Sequence, residues 1–509
     1  MSLFNESTTA SWTLFPEPSV ALPTVAGVLF SSIILYFSID KLSRNEKDVE
    51  RLGSLSILTA CQPFFNQRAD FLKTGFEKTR QKLFSFKVLH ATVVAVRGET
   101  ARKAFYDTRG LDLEEGYRYL MGSAPILGDI GVELEPNQDI SLFNKYILNL
   151  LSKQRMAETL PTFFDDIQAR MDGWGKEGRI DPFKDVYDLI FQTTIRMATC
   201  RELATDMKAM TKLREQYWVL EKNATPTALL LQWLPSSAKR NKLIATKDLH
   251  ATMRTYVENR KGATPNSDAI DFLLSKGLKT DEVVEFVLNM TFLGLINTGC
   301  SACWTLLYLS FHMEWKQKVA TEVNAIIEKH TNTSSPEPLH KRLAAVPISA
   351  WDEEMPALEL VLRETLRLIL SPTALRRNFQ ENLEIDGKRI PIGNFVAYSL
   401  GDAHMNPDIY TDPTEFDPTR FDPGREEDKK ETYAYLGWGG GRHPCLGIKF
   451  AKLEIKIIVA LLLAGYEYDV VDERGERPER LPDTDFNDIH QPRPVAGDPC
   501  YLKFKRIVD

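Results

Sequence analysis

Between residues 437 and 447 the chain reads Gly437-Trp438-Gly439-Gly440-Gly441-Arg442-His443-Pro444-Cys445-Leu446-Gly447, and an apolar helical pattern follows from Gly447 to about Ala464. No other stretch restricts the fold so tightly. Glycines allow a backbone to approach a flat object closely, with dihedrals that a β-carbon forbids. A cysteine just ahead of a helix meets the positive end of the dipole and free N–H groups, which favour thiolate over thiol. A buried, stabilised thiolate is a soft ligand suited to iron. A glycine-rich turn around a buried cysteine would present the same pattern, so the reading needs support from elsewhere in the chain.

That support comes from two more motifs, Glu364-Thr365-Leu366-Arg367 and Phe416-Asp417-Pro418-Thr419-Arg420-Phe421. Glu and Arg at i, i+3 share a helix face, and Arg420 from a distant loop can reach the same carboxylate, pinning the segment ahead of Cys445. In this order and spacing the three motifs resemble those of the cytochrome P450 superfamily. Trp438 stands at the aromatic position of its cysteine-ligand loop, Gly441 at the central glycine, His443 at the basic position and Cys445 at the iron ligand. The resemblance implies a mainly α cytochrome P450 fold with a smaller β region over residues 64–509. It also implies heme b held by the axial thiolate of Cys445. The haem propionates would be met by His443 and Arg376, with Lys145 and either Tyr117 or Tyr119 in a region resembling sterol-demethylase-type relatives.

The family's oxygen-binding helix matches the stretch from Asp281 to His312, which contains Gly294-Leu295-Ile296-Asn297-Thr298. Gly294 and Thr298 hold the outer positions of the family pattern, whereas Asn297 replaces an acid. The resemblance makes Thr298 and Asn297 the candidate catalytic pair. A Thr hydroxyl can relay a proton, and Asn can orient water but cannot ionise. With Trp438 and Ala302-Cys303-Trp304, these residues look most like the sterol and prostanoid group. The implied activity is oxygen insertion into an apolar small molecule (a sterol, terpenoid or other lipid-like secondary metabolite). A haem-thiolate isomerase or dehydratase acting on a peroxide is the alternative. Cys300 and Cys303 have C-x-x-C spacing, but without a second pair they read as core residues.

The rest of the chain reads as helix-rich from about Phe143 to Met313, with one apolar face from Pro161 to Trp174. Lys87-Val88-Leu89 followed by Thr92 to Val96 predicts a β pair, and Leu383 to Ile390 around Asp386-Gly387 predicts a hairpin. A net charge of -7 excludes a general attraction to nucleic acid. No phosphate loop or dinucleotide fingerprint is evident, so electrons are expected from a separate NADPH-cytochrome reductase. Lys449, Lys452 and Lys456, at i, i+3 and i+7, predict a basic stripe on which such a donor would dock.

Ser19 to Ser38 carries no charge, and about 20 such residues cross a bilayer. Lys41, Arg44 and Lys47 follow it and no Lys or Arg precedes it. The positive-inside rule then gives a single-pass anchor at 19–38, with residues 1–18 lumenal and 39–63 a linker. The catalytic body would face the cytosol at the endoplasmic reticulum, in contact with membrane lipid. Removing residues 1–40 is expected to shift most of the protein from the microsomal pellet to the supernatant. Full retention in the pellet would mean that another surface holds the membrane.

Overall fold

The structure, a computed structural model, describes residues 49–53, 60–133, 140–231, 233–261 and 268–508. The anchor at 19–38 and most of the linker lie outside the described residues. Eleven helices carry the argument: α1 (Arg68–Thr79), α2 (Leu113–Leu120), α3 (Ile140–Leu150), α4 (Lys153–Asp172), α5 (Tyr187–Ala198), α6 (Met207–Lys222), α7 (Ser237–Arg260), α8 (Thr280–Phe311), α9 (Met313–His330), α10 (Pro356–Ile369) and α11 (Ile448–Gly465).

α8 runs through the centre, packed by α5, α7, α10 and α11. Its apolar composition comes from this burial: Leu306, Leu307 and Trp304 are all 0% exposed. Among the described residues it is the one helix long and apolar enough to cross a membrane, yet 67% of its most apolar window is buried in the protein. α4 begins at Lys153 and carries Pro161 inside it. The apolar face is as expected, with Phe164, Ile167 and Met171 buried.

The main sheet has five strands in the order β1 (Leu83–Val88), β2 (Ala91–Val96), β8 (Phe395–Ser399), β5 (Thr373–Asn378) and β3 (Leu111–Asp112). β2 and β8 pair in parallel and the other neighbours are antiparallel. Early and late segments of the chain thus share one sheet. The predicted hairpin is β6 (Leu383–Ile385) with β7 (Lys388–Ile390), turning on Asp386 and Gly387, both with positive φ. A three-stranded sheet joins β4 (Glu177–Ile180), β11 (Tyr466–Val471) and β12 (Tyr501–Arg506).

A buried ionic hub pins the loops before residue 437. Glu364 and Arg367 of α10 are both 0% exposed and Arg420 is 1% exposed. Arg367 grips Glu364 through two bonds, Nε–Oε2 at 2.8 Å and Nη2–Oε1 at 2.7 Å. Arg420 donates from Nε to Glu364 Oε1 at 3.0 Å, and the Asp417 N–H donates to the same oxygen at 3.0 Å. The remaining guanidinium hydrogens serve carbonyls of His404, Thr411, Asp412, Pro413 and Glu415 and the carboxylate of Glu427. Such a hub tolerates burial because every charge is paired and hydrogen-bonded.

Glu364→Ala is expected to destabilise the protein by about 3–5 kcal/mol, because two guanidinium groups would lose their counter-charge in the interior. Urea melting of the variant measures this directly. A loss below about 1 kcal/mol, the range of an exposed pair, would contradict it.

Candidate active site

The loop ahead of α11 is a small β structure. β9 (Gly439–Gly440) pairs antiparallel with β10 (His443–Pro444). The Cys445 N–H donates to Trp438 O at 2.8 Å, closing the turn around the cysteine. Gly439 and Gly441 take φ of +72° and +56°, where a side chain would be strained.

A β-carbon on Gly441 would lie 2.4 Å from the carbonyl oxygen of Tyr106, and one on Gly439 would lie 2.6 Å from that of His443. These two glycines therefore permit a close approach of backbone to backbone within the loop. The Arg442 N–H donates to Tyr106 O at 3.1 Å across the same contact.

Cys445 is an exposed free thiol, although protein surrounds it closely enough to raise its pKa. Burial is the larger influence, opposed by the N–H of Gly447. α11 itself starts at Ile448, just beyond the cysteine.

Arg376 on β5 is 4% exposed. Its Nη1 donates to its own residue's neighbour, Leu375 O, at 2.8 Å, and its Nε is buried without a partner. Burial pushes its pKa down, with Tyr106 and Asp112 opposing. His443 lies within its field: burial first, then Arg376 and Arg442, lower the pKa of His443. A buried guanidinium with an idle donor, beside an imidazole, suits an anionic carboxylate. With the free thiol of Cys445, these residues fit haem.

Other candidates are placed differently. Lys145 is exposed on α3, lining an open depression with Ser141, Leu148 and Ser152. Leu151, just past that helix, lies near Gly447. Among the described residues Lys145 has no ion-pair partner. Tyr117 stands 6.3 Å from the Phe292 ring of α8, whereas Tyr119 lies 5.8 Å from Phe395 of the sheet. Trp438 is partly buried, with Nε1 unpartnered; Lys452 Nζ lies 5.6 Å from its ring centroid.

On α8, Asn297 is exposed and Thr298 is only 8% exposed. Leu293, one turn before Asn297, is 58% exposed in a helix otherwise largely buried. Leu293 and Asn297 thus form an accessible strip in mid-helix, and Thr298 beside them is buried. Cys300 and Cys303 are core residues, their thiols donating to Gln491 Oε1 at 3.5 Å and Pro182 O at 3.0 Å.

The basic stripe is overturned. Lys449 is exposed, but Lys452 is bound to Glu359 of α10. Lys456 is 2% exposed and donates to Trp351 O at 2.8 Å. The three lysines do follow helical spacing, yet two of them are engaged by Glu359 of α10 and by Trp351 of the helix Ile348–Glu353.

Two residues missed in the sequence hold the loop in place. His404 is fully buried; its Nδ1 donates to Leu370 O at 2.8 Å and its Nε2 accepts the Leu436 N–H at 2.9 Å. Burial pushes its pKa down to about 3, so it stays neutral in this tautomer. Arg102 is also 0% exposed, joining Thr432 O at 2.9 Å, the Tyr398 hydroxyl at 3.3 Å and Glu431. Neither belongs to a local pattern that could have signalled it.

Known proteins match this arrangement. The family model described as Cytochrome P450 matches residues 61–488. The chain is 29% identical to Cytochrome P450 monooxygenase AacuE of Aspergillus aculeatus, covering 87% of this chain and 89% of that protein. It is 24% identical to the sterol 14alpha-demethylase of Mycobacterium tuberculosis, covering 76% and 84%. Among solved structures, the retinoic acid-bound cyanobacterial CYP120A1 superposes with a TM-score of 0.71 at 21% identity, covering 91% of this chain and all of that one. Fold, motifs and relatives agree: the chain belongs to the cytochrome P450 family, as a haem-thiolate monooxygenase whose cofactor carries an axial cysteine thiolate.

Proposed function

We propose that this monooxygenase inserts oxygen into a small molecule with an apolar body (a sterol, terpenoid or other lipid-like secondary metabolite). Its electrons would come from NADPH-cytochrome reductase while it is anchored to the endoplasmic reticulum. The observation that carries the site reading is the pairing of a free Cys445 thiol with the buried, idle guanidinium of Arg376 beside His443. The accessible strip of α8, with Leu293 exposed, supports an apolar substrate wall.

When bound, haem supplies dioxygen activation and oxygen insertion into a C–H bond. The chain's own residues do the rest. Cys445 would supply the sulfur ligand, and His443 and Arg376 would meet the group's carboxylates. Asn297 offers an amide to hold water, donating and accepting without ionising. Protons would therefore travel through ordered water at the Asn297 amide, with Thr298 confined to packing. This reverses the weight that motif order puts on Thr298.

Cys445→Ser is expected to leave a folded chain without the long-wavelength Soret band of a thiolate-ligated ferrous–CO complex. A variant that keeps the wild-type band would remove Cys445 as ligand.

Asn297→Leu is expected to divert electrons, raising peroxide formed per NADPH consumed several-fold, on the order of the 10²-fold reach of positioned acid–base groups or less. Thr298→Val, nearly isosteric, should change that ratio little. The opposite pattern would restore the relay role to Thr298. NADPH use without any O₂ uptake would instead favour peroxide isomerisation.

A further inference from the structure

We infer that Arg68, Lys242 and His490 form a subsite for an anionic headgroup, a carboxylate or ionised phenol, on an otherwise apolar ligand. This rests on the monooxygenase reading and adds the charge of the substrate to it.

Arg68 of α1 is 2% exposed and Lys242 of α7 is 9% exposed. Arg68 donates from Nε to Phe64 O at 2.9 Å and from Nη2 to Leu120 O at 2.8 Å, with Nη1 3.1 Å from Met121 Sδ. A guanidinium has further hydrogens to give. Lys242 Nζ donates to Gly122 O at 2.6 Å. Both cations thus meet the C-terminal end of α2, at Leu120 to Gly122, through neutral acceptors. Among the described residues neither has a carboxylate within ion-pair distance. Burial pushes the pKa of Arg68 down to about 9 and lowers that of Lys242. Two buried cations held only by neutral groups are costly unless something supplies negative charge.

The neighbouring carboxylates are already engaged. Arg493 pairs with Glu221 at 2.7 Å and Asp488 at 3.2 Å, and Gln491 Nε2 donates to Glu221 at 2.7 Å. Asp488 also accepts the N–H groups of His490 and Gln491. His490 keeps Nδ1 buried without a partner. Its pKa is pushed down to about 4 by burial; Arg68, Arg493 and Lys242 add to the fall and Asp488 opposes it. The imidazole is therefore neutral and can donate a hydrogen bond to an anion.

The cluster borders the accessible strip of α8. Leu293, Asn297 and Cys300 stand at i, i+4 and i+7, on one helix face. Gln491 Oε1 meets Cys300 Sγ at 3.5 Å, and the Tyr117 ring lies 6.3 Å from that of Phe292. A ligand lying along Leu293 and Asn297 can place an acidic end among the cations.

The test uses haem-loaded, full-length protein and two matched pairs: dodecanoic acid with its methyl ester, and 2-naphthoic acid with its methyl ester. Calorimetry reads binding, independently of turnover. In at least one pair the acid should bind about tenfold or more tighter than the ester. Arg68→Met should remove that preference while leaving ester affinity within about twofold, and Arg68→Lys should keep most of it. Equal affinity for acid and ester in both pairs, no binding of either acid, or an equal loss for both ligands in Arg68→Met would overturn the inference. If Arg68→Met does not fold, Lys242→Met faces the same comparison, and equal loss there overturns it too. Failure of the monooxygenase reading would show separately, as absence of NADPH-linked oxygenation with acid preference intact.

Discussion

The carboxylate of Glu364 is the point on which the site depends. It receives two bonds from Arg367, one from Arg420 and one from the Asp417 backbone, and the two arginines then hold five carbonyls between residues 404 and 415. A second buried carboxylate, Glu427, extends the network, meeting Arg420 at 3.2 Å and Arg425 at 3.0 Å. Irregular chain cannot satisfy its own backbone groups in the interior. Here fixed cations do so, and the loop acquires one conformation without regular secondary structure.

From that hub, order passes to the cysteine loop by neutral contacts. His404 contributes its carbonyl to Arg367 and its ring to the Leu436 N–H. One residue on, Gly437 opens the turn. On the other side the helix Glu99–Asp107 clamps the same segment: Glu99 accepts the Thr432 N–H at 2.8 Å, and Arg102 reaches Thr432 O and Glu431. The segment leading to Cys445 is thus positioned from both sides.

Across the centre, α8 has two characters in one helix. Most of it is ordinary core, but Leu293 and Asn297 are left accessible. Elsewhere in the interior, Arg68 and Lys242 are cations buried among neutral acceptors. Under the inference above, a ligand with one charged end would supply their missing counter-charge.

Local pattern determined much of this protein. The turn at Asp386-Gly387, the apolar periodicity of α8 and α11, and the i, i+3 pair Glu364 and Arg367 each depend on neighbours in sequence, so they were legible there. The motif order also identified Cys445, His443 and Arg376 as candidates for one site. What the sequence left open was direction and neighbourhood. Helical spacing put Lys449, Lys452 and Lys456 on one face, but only tertiary contact engaged Lys452 with Glu359 of α10 and Lys456 with Trp351 of the helix Ile348–Glu353. Motif alignment put the proton relay on Thr298, with Asn297 in place of an acid; the setting of α8 in the core exposes Asn297 and buries Thr298. His404, Arg102, Arg68 and Lys242 act through partners dozens to hundreds of residues away. Periodicity reports which face of an element is apolar, whereas tertiary contact decides what that face meets.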